Sequence, residues 1–147
     1  MSPRELDLGV VHAELSLIAG SLDVLTSAGE VGEERLRADP LLTAAVERLV
    51  SRVVDLAVDV NAHVAATALG RAPADHRSSF GLAARAGALT EELAQELAPS
   101  AGLRDVLVHQ YADLDLAVLA ASVPRLLDGH RRCVGEVAAC TATRGGG

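Results

Sequence analysis

Hydrophobic residues recur along this chain at three- and four-residue steps, in runs separated by short glycine- and proline-containing breaks. The clearest run is Leu42, Val46, Leu49, Val53, Leu56, Val60 and Val64, one apolar face of a helix. Asp39-Pro40 opens it with an N-cap and a proline at the first helical position, and Leu69-Gly70 closes it, with Pro73 just beyond. Upstream, Leu6, Val10, Ala13, Leu17, Leu22 and Leu25 predict a first helix from Pro3 to Thr26, ended by Gly29 and Gly32. A short helix is predicted from Asp75 or Ser78 to Ala86, stopped at Gly87. Thr90 then caps a helix whose first turn carries Glu91 and Glu92, where the helix dipole favours acids. Pro99 and Gly102 predict an interruption, with a fresh segment starting near Ser100 or Ala101. Asp113 or Asp115 is expected to cap a last long helix reaching Thr141, kinked or restarted at Pro124 and weakened at Gly129. The pattern contains no internal repeat and no long linker. It predicts a single helical domain over residues 1–141 and a flexible C-terminal tail over 142–147.

Composition narrows the class. Half of the 147 residues are hydrophobic, yet there is one Phe, one Tyr and no Trp, so Leu, Val and Ala must fill the core. Such residues favour helices packed closely on helices, which makes the chain all-α. No uninterrupted apolar run approaches the roughly 18–20 residues of a bilayer span. Arg4, Glu5, Asp7 and Glu14 come too early for a signal peptide, so a soluble, cytoplasmic protein without membrane contact is expected. Cys133 and Cys140 would share a helical face but sit roughly 10 Å apart, beyond disulfide reach within one helix. With no ligand at zinc spacing beside them, they read as small buried apolar side chains. The net charge of −7 argues against a broad nucleic-acid footprint, although a local cleft lined by arginine remains compatible with an acidic body.

One stretch stands apart: Arg104-Asp105-Val106-Leu107-Val108-His109-Gln110-Tyr111 sets four chemically capable residues in eight positions of an aliphatic chain. On a helix, Arg104 and Tyr111 fall on nearly one face, Asp105 and His109 form an i,i+4 pair, and His109 lies roughly 140° around from Arg104. A second polar stripe, Arg48, Arg52, Asp55, Asp59 and His63, runs along the clearest helix. It reads either as a solvated face laced with ion pairs or, at its Asp59–His63 end, as the border of a groove beside the motif. His12, His76 and His130 have no partner at useful spacing and read as surface or capping residues.

The spacing Arg-x4-His-x-Tyr, with helical runs on both sides, resembles the signature of HepT-like proteins, a branch of the HEPN group of small helical ribonucleases. The resemblance extends from Leu41 to Val137. It includes the cluster Asp59-Val60-Asn61-Ala62-His63, the run Leu82–Leu89 and Ala101-Gly102-Leu103. It departs at Asp105, where the family usually carries Asn. The resemblance implies an antiparallel four-helix bundle with an additional short helix, and a homodimer that pairs its motifs. It also implies an RNA endonuclease toxin of a type VII toxin–antitoxin pair.

For such a reaction, His109 is the candidate base for the 2′-OH, because an imidazole titrates near neutrality. Arg104 is the candidate for steadying the phosphorane, because its fork stays charged and matches phosphate oxygens. Asp105 is expected to orient the imidazole, while Asp59 and His63 support the groove. The cleavage would need no metal and would leave a 2′,3′-cyclic phosphate and a 5′-OH. The resemblance further implies that Tyr111 accepts AMP from a partner nucleotidyltransferase of the MntA type, which silences the nuclease. No cofactor belongs to this chain; ATP and Mg²⁺ belong to that partner.

Each residue also has a plainer reading. Arg104 with an acid is an ordinary surface ion pair, a lone helical His is often structural, and Tyr111 is a packed ring. The alternative function is a catalytically weak helical dimer that serves as binding partner of a nucleotidyltransferase.

Overall fold

The computed structural model describes residues 7–109 and 115–145, and all regular structure in them is helical. The 30-residue α3 (Pro40–Leu69) is the central element, contacting every other helix. It is capped as its sequence requires: the Asp39 carboxylate accepts the Leu42 N–H at 3.0 Å, and Gly70 takes the left-handed conformation with φ of 63°. Of the expected face, Val46, Val53, Val60 and Val64 are buried while Leu42, Leu49 and Leu56 pack half-buried against the core, and Val50, Val54 and Ala57 complete the buried side.

Around α3 stand α1 (Leu8–Ser27), α5 (Glu91–His109) and α6 (Leu116–Gly145), with two short helices, α2 (Glu33–Ala38) and α4 (His76–Arg85). Cross-helix contacts give the directions. His12 meets Thr141 and Asp23 meets Arg131, so α1 and α6 run antiparallel. Thr90 N–H donates to Glu136 Oε1 at 2.7 Å, Arg132 pairs with Glu96, and Ser100 lies beside His130, so α5 and α6 are antiparallel too. This is the expected antiparallel four-helix bundle. Its interior is Leu, Val and Ala around the single Phe80, which is fully buried.

Several boundaries differ from the expectation. α1 begins at Leu8, where Asp7 caps it through the Val10 N–H at 3.1 Å, and the expected start at Pro3 lies outside the described residues. α2 was not expected: it is six residues long, with Glu33 and Glu34 at its start, Arg35 and Arg37 at its end, and one core contact, Leu36. The Arg35 guanidinium donates to the Ala28 and Glu30 carbonyls and so fixes the turn between α1 and α2.

Pro99 and Gly102 do not interrupt α5, which is continuous through the motif to His109. Pro99 is exposed while Leu93, Leu97 and Ala101 are buried, so the hydrogen bond lost at the proline is on the solvent side. α6 likewise continues through an exposed Pro124, held by buried Leu119, Val123, Leu126, Cys133 and Val137, and runs past Thr141 to Gly145. Gly129 does not break it and allows close contact: a Cβ there would stand 2.9 Å from Leu97 Cδ2. Cys133 and Cys140 are free, the first buried and the second half-buried.

By length and composition α1 is apolar enough to cross a membrane, with a mean hydropathy of 1.5 over its most apolar window. Its Val11, Leu15, Ile18, Leu22 and Leu25 are nonetheless buried in the core.

Candidate active site

The helix α5 carries Arg104 toward α3 rather than toward solvent. Its Nε donates to Asp55 Oδ1 at 2.6 Å, and Nη1 reaches Asp105 Oδ1 at 3.4 Å. The Arg104 side chain is 19% exposed, against 43% for Asp55 and 55% for Asp105. Asp105 Oδ1 also lies 3.7 Å from His76 Nδ1, the first residue of α4. Three helices therefore meet through one relay of side chains, Asp55–Arg104–Asp105–His76. Half-exposed pairs of this kind contribute roughly 0–1 kcal/mol each to stability, so their chief effect is to orient the guanidinium.

His109 stands one turn beyond Asp105, exposed at the end of α5. It makes no hydrogen bond or ion pair with another described residue. The expected i,i+4 contact with Asp105 is absent, because Asp105 turns to Arg104 and His76 instead. Tyr111 lies outside the described residues.

The supporting residues are only partly drawn in. Asp59 is one turn from Asp55 on α3 and faces Glu14 of α1, not Arg104. Burial, and then the neighbouring Asp59 carboxylate, push the Glu14 carboxyl up to about 8, so at neutral pH it holds a proton beside Asp59. Its Oε2 is buried and has no donor facing it. His63 is half-buried and bonds to nothing described. Within the same segment, Asn61 is buried and donates to Ser79 Oγ at 3.2 Å, which pins α3 to α4 behind the relay. Among the described residues, no group of three or more His, Cys, Asp or Glu is placed to hold a metal ion.

Two participants escaped the sequence reading. Asp55 appears in the polar stripe, but nothing in its spacing marks it as the partner of a residue 49 positions away. His76 reads in the sequence as a surface or capping residue, yet α4 begins there and delivers its ring to Asp105. His130, which reads the same way, is fully buried in α6 instead of lying at the surface, because its neighbours on that face are core residues. His12 bonds to Thr141 at 3.3 Å and takes no part in the site.

The arrangement offers a cation with a fixed orientation and an imidazole open to solvent on one helix. The guanidinium is directed at α3 and the imidazole at solvent, roughly 140° apart around one helix.

Comparison with known proteins places these features in a family. Residues 18–137 match the family model described as Ribonuclease HepT-like. The tRNA nuclease HepT of Aphanizomenon flos-aquae (strain 2012/KM1/D3) is 29% identical over 106 residues, covering 72% of each chain. Among solved structures, a tri-AMPylated Shewanella oneidensis HEPN toxin in complex with MNT antitoxin superposes with a TM-score of 0.79 at 22% identity. It covers 88% of this chain and 97% of that one. A toxin–antitoxin structure with AMP-PNP gives a TM-score of 0.80 at 20% identity, covering 89% and 98%. This chain therefore belongs to the Ribonuclease HepT-like family and has the helical fold of the HEPN toxins.

Proposed function

We propose that this chain is an RNA endonuclease, the toxin of a toxin–antitoxin pair, and that it cleaves without a metal through Arg104 and His109. The observation that carries the reading is the placement of Arg104 and His109 on one continuous helix of a Ribonuclease HepT-like chain, with the guanidinium oriented and the imidazole exposed. His109 takes the proton of the 2′-OH as that oxygen attacks phosphorus, and Arg104 offsets the charge that develops on the phosphorane. The 5′-oxygen leaves with a proton, supplied by His109 of the partner subunit if two motifs face one groove. The products are a 2′,3′-cyclic phosphate and a 5′-OH.

Asp105 has a different part from the one its spacing suggests. It lies against Arg104 and His76, so it orients the guanidinium rather than His109. Tyr111 follows His109 by two positions, and its phenol oxygen is the proposed AMP acceptor. It would attack the α-phosphorus of ATP held by a partner nucleotidyltransferase and displace pyrophosphate. The added phosphate would compete with RNA for Arg104.

A second reading is favoured by the two carboxylates on Arg104: they leave less of the guanidinium for a phosphate, as in a catalytically weak dimer that only binds its nucleotidyltransferase. One experiment separates them. Purified protein is incubated with RNA in excess chelator, and the 3′ ends of the products are identified. Cleavage to cyclic phosphate, lost in His109→Ala and Arg104→Ala with unchanged circular dichroism, is expected. Equal activity in the wild type and His109→Ala, or none in either, refutes the nuclease reading.

A further inference from the structure

A groove of about 800 Å³ runs between α4 and α5, and three arginines, Arg71, Arg77 and Arg85, stand on its rim. We propose that this groove holds the RNA strand next to the cleaved bond, with those arginines on its phosphates; the inference rests on the nuclease reading above.

Charge is the first support. The chain carries a net −7, and several of its described arginines are already committed: Arg37 to Glu33, Arg104 to Asp55, Arg131 to Asp23 and Arg132 to Glu96. Arg71, Arg77 and Arg85 are all exposed and make no hydrogen bond or ion pair with a described residue. The groove also contains Asp75 and Glu91; the Asp75 carboxylate accepts the Ser78 N–H at 2.7 Å as the cap of α4 and feels the charge of the neighbouring Arg77, so the three arginines outnumber the groove's acids by one. An excess of guanidinium groups along one groove of an acidic body focuses a positive field there.

Shape is the second. Arg77, Gly81 and Arg85 repeat every four residues, which places the two arginines about 12 Å apart along α4 and within roughly 80° of one another. That separation exceeds a single phosphate and suits a run of strand. Gly81 between them lines the groove, and a Cβ there would meet nothing within 4 Å. The α5 side is formed by Glu91, Gln95 and the small side chains of buried Ala94 and half-buried Ala98, which leave the groove wide.

Direction is the third. On α5, Ala98, Asp105 and His109 lie within about 20° of a common line, so the face that lines the groove continues into the motif roughly 16 Å further on. His76, beside Asp105, stands where the two meet. A polyanion lying in the groove is thus led to His109. With no aromatic side chain on the groove wall, binding is carried by phosphates rather than by stacking, and is correspondingly sensitive to salt.

The test uses the full chain in the His109→Ala background and a fluorescent single-stranded RNA titrated at several salt concentrations. The triple replacement of Arg71, Arg77 and Arg85 by Ala should weaken binding at least about tenfold and flatten the log–log salt slope by about 2, since a single strand loses roughly 0.7 per phosphate contact. Gly81→Glu should weaken binding similarly at an unchanged melting temperature, while Gly81→Gln retains it. Unchanged affinity and salt slope in the triple variant and in Gly81→Glu overturn the proposal, even if the wild type cleaves RNA through His109. Loss of binding in these variants while His109→Ala still cleaves supports the groove and refutes the proposed catalytic pair instead.

Discussion

Acidification should destabilise this protein through one buried histidine. His130 is fully buried in α6, with its ring edge-on to Phe80 at 6.4 Å and its Nε2 3.4 Å from Ser100 Oγ. Its Nδ1 is buried with no partner. Burial pushes its pKa down to about 4 from an ordinary 6.5. The unfolded chain therefore takes up the proton first: stability is complete above about pH 6.5 and is lost as pH falls toward 4. At roughly 1.36 kcal/mol per unit, the full loss is about 3 kcal/mol, of which about 2 fall between pH 7 and pH 5. That is a large part of a typical domain's stability of about 5–15 kcal/mol. Urea unfolding followed by circular dichroism at pH 7 and pH 5 measures it. His130→Leu keeps the volume near that of the ring and removes the proton-binding site, so its difference between the two pH values should be smaller than the wild type's by about 2 kcal/mol. Equal pH dependence in the two proteins would refute the reasoning.

Two other perturbations follow from the packing. Gly129→Ala gains about 1 kcal/mol in helix propensity, yet its Cβ would meet Leu97 Cδ2 at 2.9 Å inside the core, so a lower melting temperature is expected despite the better helix former. The Glu14 carboxyl, raised to about 8, contributes stability that is complete below its unfolded value of 4.5 and is lost as pH rises through 8. Glu14→Gln keeps a neutral donor beside Asp59, so it should melt above the wild type at pH 8.5 and level with it at low pH; no difference at either pH would contradict the shared-proton account.

The bundle was legible because its signals are local and repeat. Asp39-Pro40, Gly70, Asp75, Thr90 and Asp115 sit where the chain's own backbone needs a cap, and α3 writes its buried face in valines at helical steps. Breakers misled where tertiary burial outweighs a local cost. Pro99 and Pro124 face solvent on helices whose other faces are held by core leucines, so each removes one bond without ending the helix. α2 was missed because six residues with a single buried Leu36 leave no periodicity to read. The motif itself was visible as four polar residues on an aliphatic background. Its wiring was not: Asp55 and His76 reach Arg104 and Asp105 only because α3 and α4 pack on α5, and no spacing within one helix encodes that.

The relay also bears on where affinity for RNA would come from. Asp55 occupies the Nε edge of Arg104, leaving the terminal nitrogens for a phosphate, and Asp105 stands 3.4 Å from one of them. A carboxylate beside that position repels a phosphate oxygen, where the amide usual in the family would donate to it. Under the proposed reading, the motif of this chain is thus well oriented but weakly attractive, and the molecule's −7 adds to the cost of bringing a polyanion near it. Binding strength must then be supplied outside the motif, by cations that are not neutralised at home. Arg71, Arg77 and Arg85 meet that requirement, and the α5 face they border leads to His109. An AMP group on Tyr111 would act on the same weak point: it needs only to outcompete a phosphate already opposed by Asp105, which is a smaller task than blocking a strongly cationic site.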